Sequence, residues 1–290
     1  MATGTRRSRS ALAELPRFAA MRYVQPLREG GSLPAVVDTD SGGLYVVKFR
    51  GAGQGTKVLV AELIVGGLAR RLGLPSPELA LVTVSPRFGR SEPDPEIQEL
   101  LRKSHGMNVG LRYLEGAFNF DVSAAGELVS PELAARIVWL DAFTTNPDRT
   151  ARNPNLLIWE RKPWLIDHGA ALYAHHDWDA VDDARTRTPF QLIRSHVLLS
   201  HSADLQEADR VAIELLNADV IRDVVSTVPD SLFSDAHGWG GDFATGDETR
   251  ARYVEYLTTR LGAPRAFLTE AVAAQEQLRL EPPLHLKARR

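Results

Sequence analysis

Apolar positions change their period along the chain, and the change divides it into two textures. From Met21 to Tyr113 the pattern is strand-rich. Leu33–Val37 and Leu44–Phe49 are apolar, β-branched runs separated by Asp38–Gly43, whose Asp, Ser and Gly residues favour a turn, so the pair predicts a hairpin. Gly51–Thr56 (GAGQGT) predicts a flexible loop. Lys57–Leu72 then carries Leu59, Leu63, Val65, Leu68 and Leu72 at helical spacing, and Gly73, Pro75 and Pro77 end it. Glu78–Val84 and Asn108–Tyr113 read as further strands, with a polar loop at Pro86–Pro95 and a short helix at Glu96–Lys103 between them.

After Gly116 the texture becomes helical. Ser130 is a ready N-cap for a helix over Pro131–Phe143, with Pro131 at its first position. Leu156–Trp159 and Trp164–Asp167 predict a small hairpin turning at Glu160–Pro163. Helices are expected at Phe190–Leu199, Leu205–Leu216, Ala218–Thr227, Asp247–Leu261 and Pro264–Glu276. The predicted class is α+β with two lobes: a flexible tail over residues 1–20, a β-rich N-lobe over 21–116 and a mainly helical C-lobe over 117–290. Nucleotides commonly bind in the crevice between two such lobes.

Composition narrows the function. The chain of 290 residues has a hydrophobic fraction of 44% and needs no staples to build a core. With no cysteine, disulfides, thiolate zinc sites and a cysteine nucleophile are excluded. A net charge of −3 and a pI near 6.3 do not favour nucleic acid or an anionic membrane as partner. Arg6, Arg7 and Arg9 are followed by apolar stretches too short for an export signal, and no run is long enough to span a bilayer. The expectation is a cytoplasmic protein with a frayed basic tail, and Met21, which opens the first well-patterned segment, is a second candidate start.

The chemistry gathers in Asn146–Gly169, NPDRTARNPNLLIWERKPWLIDHG. Asp148 stands five residues before Asn153 in a loop between helix and hairpin, and the hairpin delivers Asp167 at the end of an apolar strand. Phosphoryl transfer needs these groups: one carboxylate to position or deprotonate the acceptor hydroxyl, and an amide oxygen with a second carboxylate to hold Mg²⁺ against the phosphates. Asp148 and Asn153 alone could merely shape a turn; Asp167 tips the balance. Lys48 ends the strand LYVVKF, where its ammonium can bridge ATP phosphates, and Glu62 on the following helix can pair with it. The plain alternatives are a snorkelling edge lysine and an exposed helix carboxylate. For the phosphate-covering loop the candidates are Gly30, Gly31 and Ser32, or Gly51–Gly55, since neither standard glycine-loop signature is present. Leu114, Glu115 and Gly116 occupy the connector that would offer backbone groups to adenine. His175, His176 and Asp177 cluster without metal-ligand spacing and read as a solvated turn, and the isolated histidines, His196 among them, as surface or capped residues.

These motifs carry a family resemblance. YVVKF with Lys48, GLPSPELALV from Gly73 to Val82, and DRTARN…LIDHG from Asp148 to Gly169 resemble the HipA-type protein kinases of bacteria, and more distantly the phosphatidylinositol kinases. The resemblance implies a two-lobed protein-kinase-like fold and ATP with Mg²⁺ as cofactors. It makes Asp148 the catalytic carboxylate, Asn153 and Asp167 the metal ligands, and Lys48 the phosphate-binding lysine. Asn155 competes with Asn153, although the five-residue spacing favours Asn153. The implied acceptor is a Ser/Thr hydroxyl of a protein, and an antitoxin-like partner is known in the group. This chain departs from the toxins of the group in its shorter amino-terminal region and in Arg149 and Thr150 after the catalytic aspartate. A small-molecule or phosphoinositide-type kinase, or a nucleotide-binding pseudokinase scaffold, are the alternative readings.

Overall fold

Alternating apolar residues in the first third of the chain close a barrel. The computed structural model describes residues 14–27, 33–53, 55–90, 92–233 and 243–280. Strands β1 (Arg17–Pro26), β2 (Ala35–Thr39), β3 (Leu44–Lys48), β4 (Leu79–Val84) and β5 (Gly106–Arg112) are arranged in the order β1-β2-β3-β5-β4 around it. Neighbours are antiparallel except at the closing seam, where β1 and β4 run parallel with Arg17 opposite Leu81 and Ala19 opposite Thr83. The two-residue period of a strand sorts its side chains. Ala80, Val82 and Val84 join Val37 and Val47 in the barrel cluster, whereas Leu79 and Leu81 of the same strand pack into the helical core. Gly110 of β5 leaves the interior its room: a Cβ there would lie 2.8 Å from Val82 Cγ2 and 3.4 Å from Tyr45.

Helix α1 (Thr56–Arg71) joins β3 to β4 and is apolar nearly all round, burying Leu59, Leu63, Ile64, Val65 and Leu68 between the barrel and the later helices. Helix α2 (Pro95–Lys103) starts on Asp94, whose Oδ1 accepts the Glu96 N–H at 2.9 Å. The rest of the chain adds a three-stranded sheet of β6 (Phe118–Asn119), β7 (Leu156–Trp159) and β8 (Lys162–Leu165). Its helices are α3 (Ala125–Leu128), α4 (Pro131–Phe143), α5 (Asp183–Thr186), α6 (Leu205–Leu215), α7 (Ala218–Ser226), α8 (Gly246–Leu261) and α9 (Ala266–Leu280). Ser130 caps α4 as its sequence predicts, its Oγ accepting the Leu133 N–H at 3.2 Å. One continuous apolar cluster runs from α1 through α4 to α9 and takes in Leu79, Leu81, Val109 and Leu111 from the barrel strands, while the barrel interior forms a second cluster. The architecture is α+β. No helix among the described residues is long and apolar enough to cross a membrane.

Three departures from the sequence pattern bear on the site. Residues 17–20, expected in the flexible tail, are the start of β1, because their backbone closes the barrel against β4. Phe190–Leu199 is not one α-helix but two 3₁₀ turns, Gln191–Ser195 and Leu199–His201. Between them His196 turns inward to Asp141, and the Val197 N–H donates to the Arg149 carbonyl at 3.0 Å. The second hairpin turns on Glu160 and Arg161, both left-handed, so β8 starts early and Asp167 lies beyond the strand rather than at its end.

Candidate active site

Pairing within the barrel and periodicity along α1 bring distant residues onto one ammonium. Lys48 is the last residue of β3, paired with Val109, and its side chain turns into the protein. Its Nζ lies 2.7 Å from Glu62 Oε2 and 2.6 Å from Asp167 Oδ1. Glu62 sits on α1 with no exposed surface, while the Asp167 side chain keeps 45% of its surface open. Burial works against the charge on Lys48, but Glu62 and Asp167 outweigh it and raise its pKa. Burial likewise pulls the Asp167 carboxyl up, and the Lys48 ammonium more than reverses it, holding the group below the usual carboxylate value. Glu62 Oε2 also accepts the His168 backbone N–H at 2.8 Å. The His168 ring is enclosed, and burial pushes its pKa down to about 4, so it is neutral at neutral pH.

Asp148 heads a second group. Thr150 and Asn153 exchange backbone hydrogen bonds at 3.0 and 3.2 Å, closing a tight turn that folds residue 153 back over residue 148. The five-residue spacing reflects that turn. Asp148 Oδ2 accepts from Asn153 Nδ2 at 2.8 Å and from Asn155 Nδ2 at 3.2 Å. Asn153 is exposed, and its amide oxygen has no partner among the described residues. Asn155 is buried and left-handed, with φ 47°. Both amides thus stand on the aspartate, and both leave an oxygen for other work.

Beneath these groups lies a buried network that spacing did not reveal. Asp141 of α4 has no exposed surface; its Oδ2 accepts from Arg149 Nε at 2.6 Å and His196 Nε2 at 2.9 Å, and its Oδ1 from Asn146 Nδ2 at 2.9 Å. Burial opposes its charge, yet Arg149 and His196 hold its pKa well below the usual value. Arg149 Nη2 lies 3.3 Å from His168 Nδ1, and its Nη1 reaches the carbonyls of Asn155 and Ile166. The available signal was Asp141 itself: a carboxylate inside the apolar helix stretch Ile137–Phe143 must find a buried partner. His196 therefore belongs to the interior, not to the surface as its isolation suggested. His175 is also buried rather than solvated, with Nδ1 3.0 Å from Tyr253 Oη.

A model of the HipA-like kinases matches residues 21–231. The chain belongs to the HipA-like kinase family. No curated protein matches it in sequence. Among solved structures it is similar to the Helicobacter pylori proinflammatory kinase CtkA, at 13% identity and a TM-score of 0.50, with 92% of this chain and 100% of that chain covered. Similarity extends to the Golgi casein kinase, at 11% identity and TM-score 0.43 over 91% of this chain and 72% of that chain. The same enzyme with Mn/ADP bound gives 12% identity and TM-score 0.40, covering 90% and 75%.

The remaining sequence candidates fall differently in this HipA-like kinase. Leu114–Gly116 forms a turn in which the Leu114 carbonyl accepts the Ala117 N–H at 3.1 Å and the Glu115 carbonyl accepts Trp159 Nε1 at 3.0 Å. Each of these carbonyls accepts one hydrogen bond and keeps a second lone pair. The amides of Gly51, Ala52 and Gly55 donate within the protein, Gly51 to Ser104 Oγ at 3.2 Å. Gly30, Gly31 and Ser32 lie outside the described residues.

Proposed function

We propose that this HipA-like kinase transfers the γ-phosphate of ATP, taken as its Mg²⁺ complex, to a hydroxyl group, that of Ser or Thr in a protein. The observation that carries the reading is the Lys48 ammonium held between Glu62 and Asp167, with Asp148 standing beside its own amide five residues on. In this reading residues 21–116 form an N-lobe and residues 117–290 a C-lobe, with ATP between them. The preference for a protein hydroxyl rests on the resemblance of Asp148–Gly169 to the HipA-type Ser/Thr kinases.

The donor set suits a hard cation that arrives with its nucleotide. Glu62 and Asp167 set two carboxylates against one ammonium, so the cluster carries an excess of negative charge that a triphosphate would only deepen. A divalent cation relieves both. Asp167, half open, and the unpartnered amide oxygen of Asn153 would hold it, Asn155 being the alternative amide. Mg²⁺ keeps several waters and is commonly bound through one or two protein oxygens together with substrate phosphates, so two such ligands suffice. When bound, the cation supplies charge neutralisation at the phosphates. Lys48 orients those phosphates, and Asp148 takes the hydroxyl proton as the acceptor oxygen bonds to phosphorus and ADP leaves.

Incubation with γ-labelled ATP and Mg²⁺, with and without cell lysate, tests the reading against Asp167→Ala. Label on a protein band with wild type alone supports it. ATP hydrolysis or label only in small molecules would move the acceptor to that class, and absence of nucleotide binding would end the proposal.

A further inference from the structure

Arg149 is the immediate neighbour of Asp148, yet its guanidinium points away from solvent and is enclosed at 1% exposure. It touches four groups, and the choice of groups is informative. Besides Asp141, it binds the carbonyl of Asn155, the carbonyl of Ile166 and the imidazole of His168. Ile166 immediately precedes Asp167, and His168 comes immediately after it. Asn155, like Asn153, has a side chain that reaches back to Asp148. One planar fork thus joins the loop of Asp148 to both flanks of Asp167.

We propose that Arg149 is a positioning residue that sets Asp148 against Asp167, and that Asp141 is the fixed anchor from which it does so. This rests on the proposed roles of the two aspartates in phosphotransfer. Asn155 and Asp167 are both left-handed, φ 47° and 55°, a conformation that Asn and Asp adopt more readily than other residues with a Cβ. Arg149 Nη1 binds the carbonyl of the first and the carbonyl preceding the second. Those two backbone turns aim Asn155 Nδ2 at Asp148 and Asp167 Oδ1 at Lys48.

The anchor is fixed in turn. His196 Nδ1 accepts the Leu198 N–H at 3.1 Å, which places the ring proton on Nε2, where it donates to Asp141 Oδ2. Asn146 donates to Asp141 Oδ1 and, through its own Oδ1, accepts the Asp148 N–H at 3.1 Å. Asp141 therefore reaches Asp148 along two routes, through Asn146 and through Arg149. A buried ion pair adds little net stability over apolar residues of similar volume, so what this one supplies is geometry. Lysine cannot substitute, because a point charge cannot serve carbonyls, a carboxylate and an imidazole from one rigid plane.

The test compares wild type with Arg149→Lys, Arg149→Met and the double variant Asp141→Leu/Arg149→Met. For each, kcat per folded molecule, KM for ATP and thermal unfolding are measured. Expected is a loss in kcat of about 100-fold in all three, the scale of an ångström-sized misplacement, with KM for ATP changed less than about threefold. The double variant removes both buried charges but leaves His196 Nε2–H and the Asn146 amide without their acceptor, so it should recover part of the thermal stability lost by Arg149→Met and none of the kcat. Recovery of kcat together with stability, full activity in Arg149→Lys, or failure of all three to fold would each make Arg149 a structural residue and overturn the proposal. Inactive wild type would instead overturn the kinase reading, and this inference with it.

Discussion

Glu62 accepts the backbone N–H of His168 at 2.8 Å through the same oxygen that receives the Lys48 ammonium. One carboxylate oxygen thereby fixes β3, α1 and the turn that bears Asp167. Its other oxygen is buried without a hydrogen-bond partner among the described residues, so the group is held by the two contacts that it makes.

Glu62→Gln keeps an acceptor for His168 and removes the charge facing Lys48. Lys48 is then left to Asp167 alone, which draws that carboxylate away from any cation. Because Lys48 keeps Asp167, the cost is that of a weakened charged hydrogen bond, about 1–2 kcal/mol, rather than that of an orphaned buried charge. Chemical denaturation should show a loss of that size, with Mg²⁺-dependent phosphotransfer reduced at least roughly tenfold. Unchanged stability would mean that the pair contributes no net energy to the fold.

Asp148 and Asp167 should separate binding from chemistry. Asp167→Ala removes the proposed principal metal ligand and should abolish Mg²⁺-dependent ATP binding in calorimetry. Asp148→Ala should bind ATP as wild type does and lose phosphotransfer by about 10²–10⁴-fold, the range of general-base contributions. Full turnover in Asp148→Ala would assign the proton transfer elsewhere.

Much of this site was legible because Lys48 and Glu62 sit on regular elements and Asp148 and Asn153 share one short turn. Lys48 closes an apolar strand and Glu62 occupies a periodic helix, so their order along the chain already suggests an encounter. Asp148 and Asn153 share a turn whose length the spacing records. The Asp141–Arg149–His196 cluster was not legible, because its members contact one another through side chains from three separate segments and no period links them. Strand β1 was obscured for a different reason. RFAAMRYVQP buries only Ala20, so its membership in the barrel rests on backbone pairing rather than on an apolar face.

That pairing makes the barrel seam sensitive to truncation. A variant comprising residues 21–290 lacks Arg17–Ala19, which pair with Leu81–Thr83, and Pro16, whose carbonyl accepts the Leu81 N–H at 2.9 Å. At about 1 kcal/mol for each backbone hydrogen bond lost, the variant should unfold with about 2–4 kcal/mol less stability. Equal denaturation midpoints for the two lengths would show that the seam is energetically idle.

Acid should weaken the fold through its buried imidazoles. Burial, then the neighbouring His176 and Lys57, hold the His175 pKa well below its ordinary 6.5. The unfolded chain therefore takes up a proton near pH 6.5 that the folded chain refuses, and stability falls as pH drops through that value. His196 is lowered as well, burial outweighing its bond to Asp141. His175→Asn keeps an acceptor for Tyr253 but does not titrate. Its thermal midpoint should fall less than that of wild type between about pH 7 and about pH 5, and parallel curves would remove His175 from the account.

Gly169 tests how tightly α1 is tied to the Asp167 turn. Its backbone is not left-handed, so the reason for glycine is space: a Cβ would stand 2.4 Å from Val58 Cγ1. Valine is stiff at χ1, so relief must come from moving the helix. Val58 and Glu62 are four residues apart on one face of α1, and any shift that clears the first displaces the second from Lys48 and His168. Gly169→Ala should therefore lower kcat by about tenfold or more, Val58→Ala should do little, and the double variant should recover most of the loss. In a double-mutant cycle this is a coupling of about 1 kcal/mol or more. Additive effects would mean that α1 accommodates the extra methyl without carrying Glu62 with it.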